Sequence, residues 1–182
     1  MKLPRLVSPR ALAASGVLGM NRRNYSYIMR YNRRADYPDV DDKLRTKELA
    51  MRAGVTTAEL VGCIRFQYEV REFGKLVAPV PDFVIKPGHG SGGRGILVIK
   101  EHDGTRFRKA NGAYCDYAMI YEHISNILSG LYSLGGQVDY ALVERCIDFS
   151  DIYSRFSYQG VPDVRLIVFR GYPVMAMIRL AT

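Results

Sequence analysis

The chain has 182 residues, of which 48% are hydrophobic and 24% charged. This composition is typical of a globular protein and excludes a disordered one. No apolar run reaches the roughly 18 residues that a membrane-spanning helix requires, so the sequence predicts a soluble protein. The formal net charge is +8, and the excess is confined to one end of the chain.

The first 35 residues form a basic arm. They contain eight lysine and arginine residues and no acidic one, whereas the rest of the chain has 18 basic and 18 acidic residues. A basic arm suits the phosphates of a nucleic acid or of an anionic membrane, and an acid-free, arginine-bearing segment is also typical of a transit peptide. The simplest alternative is a pair of amphipathic helices with a solvated basic face.

The cysteines indicate the redox environment. Cys63, Cys115 and Cys146 are odd in number, widely spaced and without a Cys-x-x-Cys pair. This pattern predicts free thiols in a reducing compartment, here the cytoplasm, rather than disulfides or a zinc site.

Three helices are predicted after the basic arm. The first covers residues 40–53 and is capped by Asp39 or Asp41, and the second lies in part of residues 58–73. The third covers residues 116–134, where isoleucine and leucine recur at helical spacing and form one apolar stripe.

Strands fill much of the remaining chain, as β-branched and aromatic runs between glycine and proline. They are predicted at residues 83–86, 96–99, 104–108, 138–144, 164–169 and 172–179. This order favours an α+β fold with mixed or antiparallel sheets and flanking helices. The predicted division is 1–35, a basic helical segment; 36–78, a helical lobe; 79–147, a subdomain around a glycine-rich loop; and 148–182, the start of a further subdomain.

The glycine-rich loop is the clearest chemical signal. Residues 86–95 read Lys-Pro-Gly-His-Gly-Ser-Gly-Gly-Arg-Gly, and glycines allow backbone N–H groups to approach phosphate oxygens. The dinucleotide fingerprint must open a helix, but this loop opens onto a strand. A Walker A loop needs a terminal Gly-Lys-Ser/Thr, which is absent, and a kinase loop with Lys100 on its second strand lacks a His-Arg-Asp motif.

Four elements in order resemble the ATP-grasp superfamily. Asp42-Lys43 stands at a helix start, Lys86 ends the strand before a small-residue loop, residues 143–147 form a strand ending in an acid, and residues 163–179 form a hairpin. The phrases at residues 19–24 and 41–43 are similar to the alpha-L-glutamate ligase-like branch. The resemblance covers essentially the whole chain.

The resemblance implies a role for individual residues. Lys43 and Lys86 are expected at the α- and β-phosphates, and Glu144 at the adenine amino group. The expected cofactor-binding residues are Lys43, Lys86, Ser91, Gly92, Gly93, Glu144, Arg145, Ile147 and Asp151, with Asp148 as the alternative to Asp151 at the ribose. Arg165 and Arg179 are expected to hold a substrate carboxylate or the γ-phosphate, and a cap or turn role for Asp163 is as plausible as a functional one.

The implied reaction is ligation of a carboxylate to an amine through an acyl phosphate, with ATP and Mg²⁺. Glutamate is the added amino acid by resemblance only, and the acceptor is a small molecule, a peptide or a protein C-terminus. A homo-oligomer is possible, a nucleic-acid partner is not expected, and no metal ligand is assigned. The alternative is a non-catalytic nucleotide-binding or scaffold module whose basic arm docks on nucleic acid or membrane.

The match to the superfamily breaks at the metal site. The superfamily's Glu-x-Asn pair occurs nowhere in the sequence, and the Mg²⁺ ligands are expected beyond residue 182. The chain ends directly after an apolar strand, which is an aggregation-prone terminus. We therefore expect a fragment that binds ATP at most.

Overall fold

The structure is a computed structural model that describes residues 7–147 and 162–180. Contacts divide the chain into two units, Met1–Val40 and Asp41–Thr182. The described residues form helices and antiparallel sheets, so the predicted α+β class is confirmed. In the ranges described, no helix has the length and apolarity needed to cross a bilayer.

The first unit is helical. It contains α1 (Pro9–Ala14), α2 (Met20–Arg23), a π-helical turn (Asn24–Ile28), α3 (Met29–Tyr31), a 3₁₀ turn (Arg34–Asp36) and most of α4 (Pro38–Asp41). Residues 20–31 are helical without a break. Every residue from 7 to 23 is exposed, so this part of the unit has no buried core.

The second unit begins with α5 (Lys43–Arg52), which confirms the helix predicted over residues 40–53. Its cap is Asp42, whose carboxylate accepts hydrogen bonds from the N–H groups of Leu44 and Arg45, each at 3.0 Å. The prediction of Asp39 or Asp41 as the cap is wrong. Asp42 has the extended backbone that a cap needs, whereas Asp41 still belongs to α4.

The main sheet has six antiparallel strands. They are β1 (Leu60–Ile64), β2 (Phe83–Pro87), β3 (Leu97–His102), β4 (Arg106–Lys109), β5 (Tyr114–Asp116) and β6 (Ala141–Glu144). Their order is β1-β6-β2-β3-β4-β5. β2 and β6 are therefore central neighbours, and the glycine-rich loop connects β2 to β3.

The helix predicted in part of residues 58–73 is a 3₁₀ helix (Gln67–Glu72), and α6 (Phe73–Val77) follows it. No strand was predicted in the first half of the same stretch, but Leu60–Ile64 pairs with β6 as an edge strand. Pairing with a strand about 80 residues away in the chain overrides local helix propensity.

Helix α7 (Tyr117–Leu128) covers one face of the sheet. Its side chains Ile120, Ile124 and Ile127 are fully buried, as the predicted apolar stripe requires. The helix ends earlier than predicted, because Gly130 adopts a positive φ of 84° and a Cβ there would overlap the Gln137 carbonyl. Only glycine fits this position.

A separate two-stranded hairpin consists of β7 (Asp163–Phe169) and β8 (Tyr172–Arg179). Both turn residues, Arg170 and Gly171, have positive φ values of 51° and 87°, as a tight hairpin turn requires. The predicted strands and turn are confirmed, and every residue of both strands is exposed.

The core predicts the effect of two matched substitutions. Phe73 is fully buried, and its ring lies 5.5 Å from that of Phe83 in an edge-on contact. Phe73→Ala should lower the free energy of unfolding by about 3–5 kcal/mol. Phe66→Ala is the control, because Phe66 is 56% exposed, and it should cost less than about 1 kcal/mol. Urea unfolding measures both, and equal losses would contradict the assigned core.

Candidate functional site

The polar site lies on the face of the sheet opposite α7. Side chains alternate along β2, so Phe83 and Ile85 are buried in the core while Val84 and Lys86 share the other face. Val84 pairs with Glu144 of β6, which makes Lys86 and Glu144 diagonal neighbours on that face. The site is therefore a consequence of strand register.

Glu144 lies between two lysines. Its Oε1 is 2.7 Å from the Lys47 ammonium of α5, and its Oε2 is 2.6 Å from that of Lys86. The Glu144 and Lys47 side chains are each only 6% exposed, against 27% for Lys86. Lys47 also donates to Thr57 Oγ1 at 3.3 Å and to the Ala58 carbonyl. Its ammonium therefore has three oxygen partners, counting Glu144.

The ionisation of Glu144 follows from these contacts. Burial alone raises the pKa of the carboxyl, but the hydrogen bonds from Lys47 and Lys86 outweigh it, and the pKa lies below its ordinary value of 4.5. Glu144 is therefore an anion at neutral pH, and it neutralises one of the two lysine charges.

A third lysine ties α5 to the glycine-rich loop. The Lys43 ammonium donates to the carbonyls of Gly88 at 3.2 Å and Gly90 at 2.5 Å, and its backbone N–H also donates to Gly88. Burial lowers the pKa of Lys43, opposed in part by the charge of Asp139. The loop backbone is thus fixed at its base by the first residue of α5.

A buried carboxylate anchors the loop from the other side. Asp139 is 3% exposed and accepts from the His89 backbone N–H at 3.0 Å, the Tyr140 N–H at 2.8 Å and the Ser133 hydroxyl at 2.7 Å. His89 Nδ1 lies 2.8 Å from the same carboxylate, and His89 Nε2 lies 3.6 Å from Asp42. This anchor orients the imidazole toward the start of α5.

Tyr140 completes the connection between β6 and α5. Its hydroxyl donates to the Asp42 carboxylate at 2.5 Å and accepts from the Leu44 N–H at 3.2 Å. Burial and the bond to Asp42 raise the pKa of Tyr140. Burial alone raises the pKa of Asp42, but the hydrogen bonds from Tyr140 and from the Arg45 amide outweigh it and lower that pKa.

The glycines of the loop have two different roles. Three of them lie so close to a ring that a Cβ would overlap it. The pairs are Gly88 with Tyr140, Gly90 with Pro87, and Gly95 with Tyr132. The Gly95 carbonyl also lies 3.0 Å from His123 Nε2. These glycines permit close packing at both ends of the loop.

The tip of the loop is different. Gly92 and Gly93 have positive φ values of 64° and 76°, and a Cβ on either would meet no atom within 4 Å. Both are exposed, and Ser91 beside them is half-buried. The two glycines are therefore explained by the backbone turn at the tip rather than by close packing. This turn leaves the N–H groups of the tip accessible to an anion.

The structure brings some predicted residues together and leaves others apart. Lys86 contacts Glu144, and Lys43 contacts Gly90 in the first half of the loop. Residues 91–93 follow as the tip of the same loop. Arg145 directs its side chain to Asp82 at 3.7 Å and its backbone N–H to the Glu59 carbonyl. Ile147 follows β6 and is 51% exposed.

The two arginines predicted to bind substrate lie on the hairpin. Arg179 forms a paired ion contact with Asp163 across the hairpin, with a shortest distance of 2.8 Å, and Arg165 is exposed on the same hairpin. Asp151 and its alternative Asp148 lie outside the described residues.

Sequence reasoning missed Lys47, His89, Asp139 and Tyr140. Lys47 carried one signal, since it follows Lys43 by four residues and therefore lies on the same helix face. The other three are single polar residues whose importance arises from contacts about 50 to 100 residues apart. No local pattern indicates such contacts.

Metal and thiol chemistry were also tested on the described residues. Within residues 7–147 and 162–180, no group of three or more His, Cys, Asp or Glu side chains is placed to hold a metal ion. All three cysteines are free thiols.

Comparison with known proteins gives one family. The family model described as sugar-transfer associated ATP-grasp matches residues 22–182. No curated protein and no solved structure matches the chain.

The buried ion pairs predict a pH-dependent stability. Glu144→Gln leaves the Lys47 ammonium buried without an anion, and should lower the free energy of unfolding by roughly 3 kcal/mol at neutral pH. The native pairs stabilise the fold fully above pH 4.5, and this contribution is lost as the pH falls through the lower pKa of the folded state. The difference between wild type and variant should therefore shrink as the solution is acidified.

Urea unfolding across the acidic range measures this difference. Glu101→Gln is the matched control, because Glu101 forms an exposed ion pair with Arg108 and should change stability much less. A Glu144→Gln variant as stable as wild type at neutral pH would contradict the assigned role.

Proposed function

Since the chain belongs to the sugar-transfer associated ATP-grasp family, a family of ATP-using enzymes, we propose that it binds ATP with the phosphates beneath the loop at residues 88–96. The observation that carries the proposal is a pair of ammonium groups, those of Lys47 and Lys86, on one carboxylate, Glu144, near the base of that loop. Two cations on one anion leave one positive charge there, which suits a polyphosphate. Lys43 lies on the loop carbonyls and is balanced by the nearby charge of Asp139.

Each residue contributes differently to phosphate binding. Lys86 is the most exposed partner of Glu144, so its ammonium is available to a β- or α-phosphate oxygen. Lys47 is buried and already enclosed, and it acts as a positioning residue that keeps Glu144 ionised. Gly92 and Gly93 donate backbone N–H groups to the outer phosphates, where positive φ turns the tip.

The residues proposed to bind adenine lie at the end of β6 and directly after it. Both oxygens of Glu144 accept from lysines, but each keeps a second lone pair, so an adenine amino group can add to the same carboxylate. The Arg145 carbonyl and the Ile147 N–H follow in the chain as the remaining hinge groups. Asp151 remains the proposed ribose partner.

We further propose a ligase reaction. ATP supplies the phosphoryl group that converts a carboxylate to an acyl phosphate, and an amine then displaces the phosphate. The residues of this chain align and neutralise charge rather than act as nucleophiles. Arg165 is the proposed contact for a substrate carboxylate, whereas Arg179 orders the hairpin through Asp163.

Several finer features rest on resemblance alone and belong to the same proposal. They are glutamate as the added amino acid, a role for Mg²⁺, and a small molecule, peptide or protein C-terminus as acceptor. Among the described residues, no cluster of three or more His, Cys, Asp or Glu side chains is placed to hold the metal. The family description associates its members with sugar transfer.

Calorimetric titration with Mg-ATP tests the site directly. Lys86→Met removes the charge at similar volume, and should weaken ATP binding about 10- to 100-fold, the range expected for a lost charged hydrogen bond. Lys100→Met is the matched control, because Lys100 is exposed on β3 just after the loop, and it should bind ATP as wild type does. Adenosine, which lacks phosphates, should bind all three proteins equally.

Two outcomes contradict the proposal: no Mg-ATP binding by the folded wild-type chain, and unchanged ATP binding by Lys86→Met. Release of ADP separates the reaction classes. A ligase requires a carboxylate and an amine together, whereas release that depends on a hydroxyl acceptor indicates a kinase.

The loop tip gives a second matched pair. Gly93→Ala and Gly104→Ala each place a Cβ at positive φ, 76° and 90°, with no atom within 4 Å. Each should lower the free energy of unfolding by about 1–2 kcal/mol through backbone strain alone. Only Gly93→Ala should also weaken ATP binding, as measured by titration, because Gly104 lies in the turn between β3 and β4. Equal ATP affinity in both variants would exclude the tip as a phosphate contact.

A further inference from the structure

The basic arm carries the whole excess charge of the protein, and nothing in the nucleotide site uses it. The arm contains eight basic residues, and the first acidic residue of the chain is Asp36. The structure describes residues 7–35 of the arm, which contain Arg10, Arg22, Arg23, Arg30, Arg33 and Arg34. The arm lies within the first unit of the chain.

The long helical stretch of the arm, residues 20–31, separates polar and apolar side chains. Arg22, Ser26 and Arg30 recur every four residues and therefore share one face. Arg30 lies 5.5 Å from the centre of the Tyr31 ring. Tyrosines and arginines thus border the cationic face.

The other sides of the same stretch carry exposed apolar side chains, with Asn21 and Asn24 among them. Met20, Tyr25 and Met29 are 72%, 76% and 63% exposed, and Ile28 is 37% exposed. The segment before the stretch adds exposed Leu12, Val17 and Leu18. A soluble unit of this size normally buries such side chains, so a partner surface is needed to cover them.

Charge and exposed hydrocarbon together select the partner. Phosphate groups on a nucleic acid attract arginine, but they offer no apolar phase for leucine, valine, methionine and isoleucine. The interface of an anionic bilayer offers both, with headgroup phosphates for arginine, acyl chains for hydrocarbon and an intermediate zone for tyrosine. We propose that the basic arm binds the surface of an anionic lipid bilayer, lying in the interface without crossing it.

The boundary of this surface is visible in the contacts. Arg33 pairs with Asp36 through two 3.0 Å contacts, so the first acid of the chain neutralises an arginine at the end of the arm. From Asp36 to the last residue, basic and acidic residues are equal in number. This part of the chain therefore has no net positive charge to attract an anionic surface.

Vesicle co-sedimentation of the full chain tests the proposal, since the absence of tryptophan rules out intrinsic tryptophan fluorescence as a readout. The chain should sediment with phosphatidylcholine vesicles that contain about one third phosphatidylglycerol, and not with phosphatidylcholine alone. Raising NaCl from about 0.1 M to about 0.5 M should weaken binding. The double variant Arg22→Gln, Arg30→Gln should lose about 5-fold in partitioning per arginine.

Two further variants make the test specific. Arg52→Gln, Arg71→Gln removes the same charge from exposed positions outside the arm and should bind vesicles like wild type. Met20→Ser, Met29→Ser keeps every charge and should weaken vesicle binding at least about 5-fold, because burial of hydrocarbon is lost.

Fluorescence anisotropy of a labelled single-stranded RNA tests whether the arm binds a nucleic acid instead of a lipid bilayer. Absence of vesicle binding, or vesicle binding that Met20→Ser, Met29→Ser leaves unchanged, overturns the proposal. So does tight RNA binding without vesicle binding, which assigns the arm to nucleic acid. Vesicle binding that requires both the arginines and the methionines supports the bilayer surface.

Discussion

The candidate site depends on one buried carboxylate. Glu144 holds Lys47 and Lys86 at 2.7 and 2.6 Å, and so joins α5, β2 and β6 on the face of the sheet opposite the main core. Removing charges from water is costly, and a buried ion pair repays that cost only where geometry and further hydrogen bonds are good. Lys47 meets this condition through Thr57 and Ala58. Without the carboxylate, the two ammonium groups would have no anion between them, and their mutual repulsion would be uncompensated.

The glycine-rich loop combines a fixed base with an open tip. Asp139 and Lys43 bind its first residues through backbone and imidazole contacts, and ring packing at Gly88, Gly90 and Gly95 holds both of its ends. Gly92 and Gly93 have no such neighbours. A loop that is ordered at its ends and unhindered at its tip can contact a ligand without a change in the sheet. The same arrangement explains why five glycines occur within eight residues, since close packing and positive φ both require them.

The sequence predicted those parts of the structure that local patterns determine. The β2 strand, the α7 stripe and the hairpin turn at Arg170 follow from periodicity and turn residues. Lys86 and Glu144 were expected from the resemblance to the ATP-grasp superfamily. β1 was not predicted as a strand, because its strand state depends on pairing with β6 across about 80 residues. Asp139 was missed for a similar reason, since its partner His89 lies 50 residues away. Contacts of this length leave no periodic trace in one sequence.

Positive charge is used in two physically different ways along the chain. Residues 36–182 have equal numbers of basic and acidic residues, so the candidate site owes its local charge to the placement of a few lysines rather than to net charge. Lys47 is buried and Lys86 is 27% exposed, so salt screens these charges less than it screens fully exposed ones. The basic arm differs, because it has eight basic residues and no acidic one. At about 0.1 M salt, its attraction for an anionic surface extends only about 10 Å. The site is thus suited to one small polyanion in a defined orientation. The arm is suited to an extended anionic surface at short range, where many weak contacts act together.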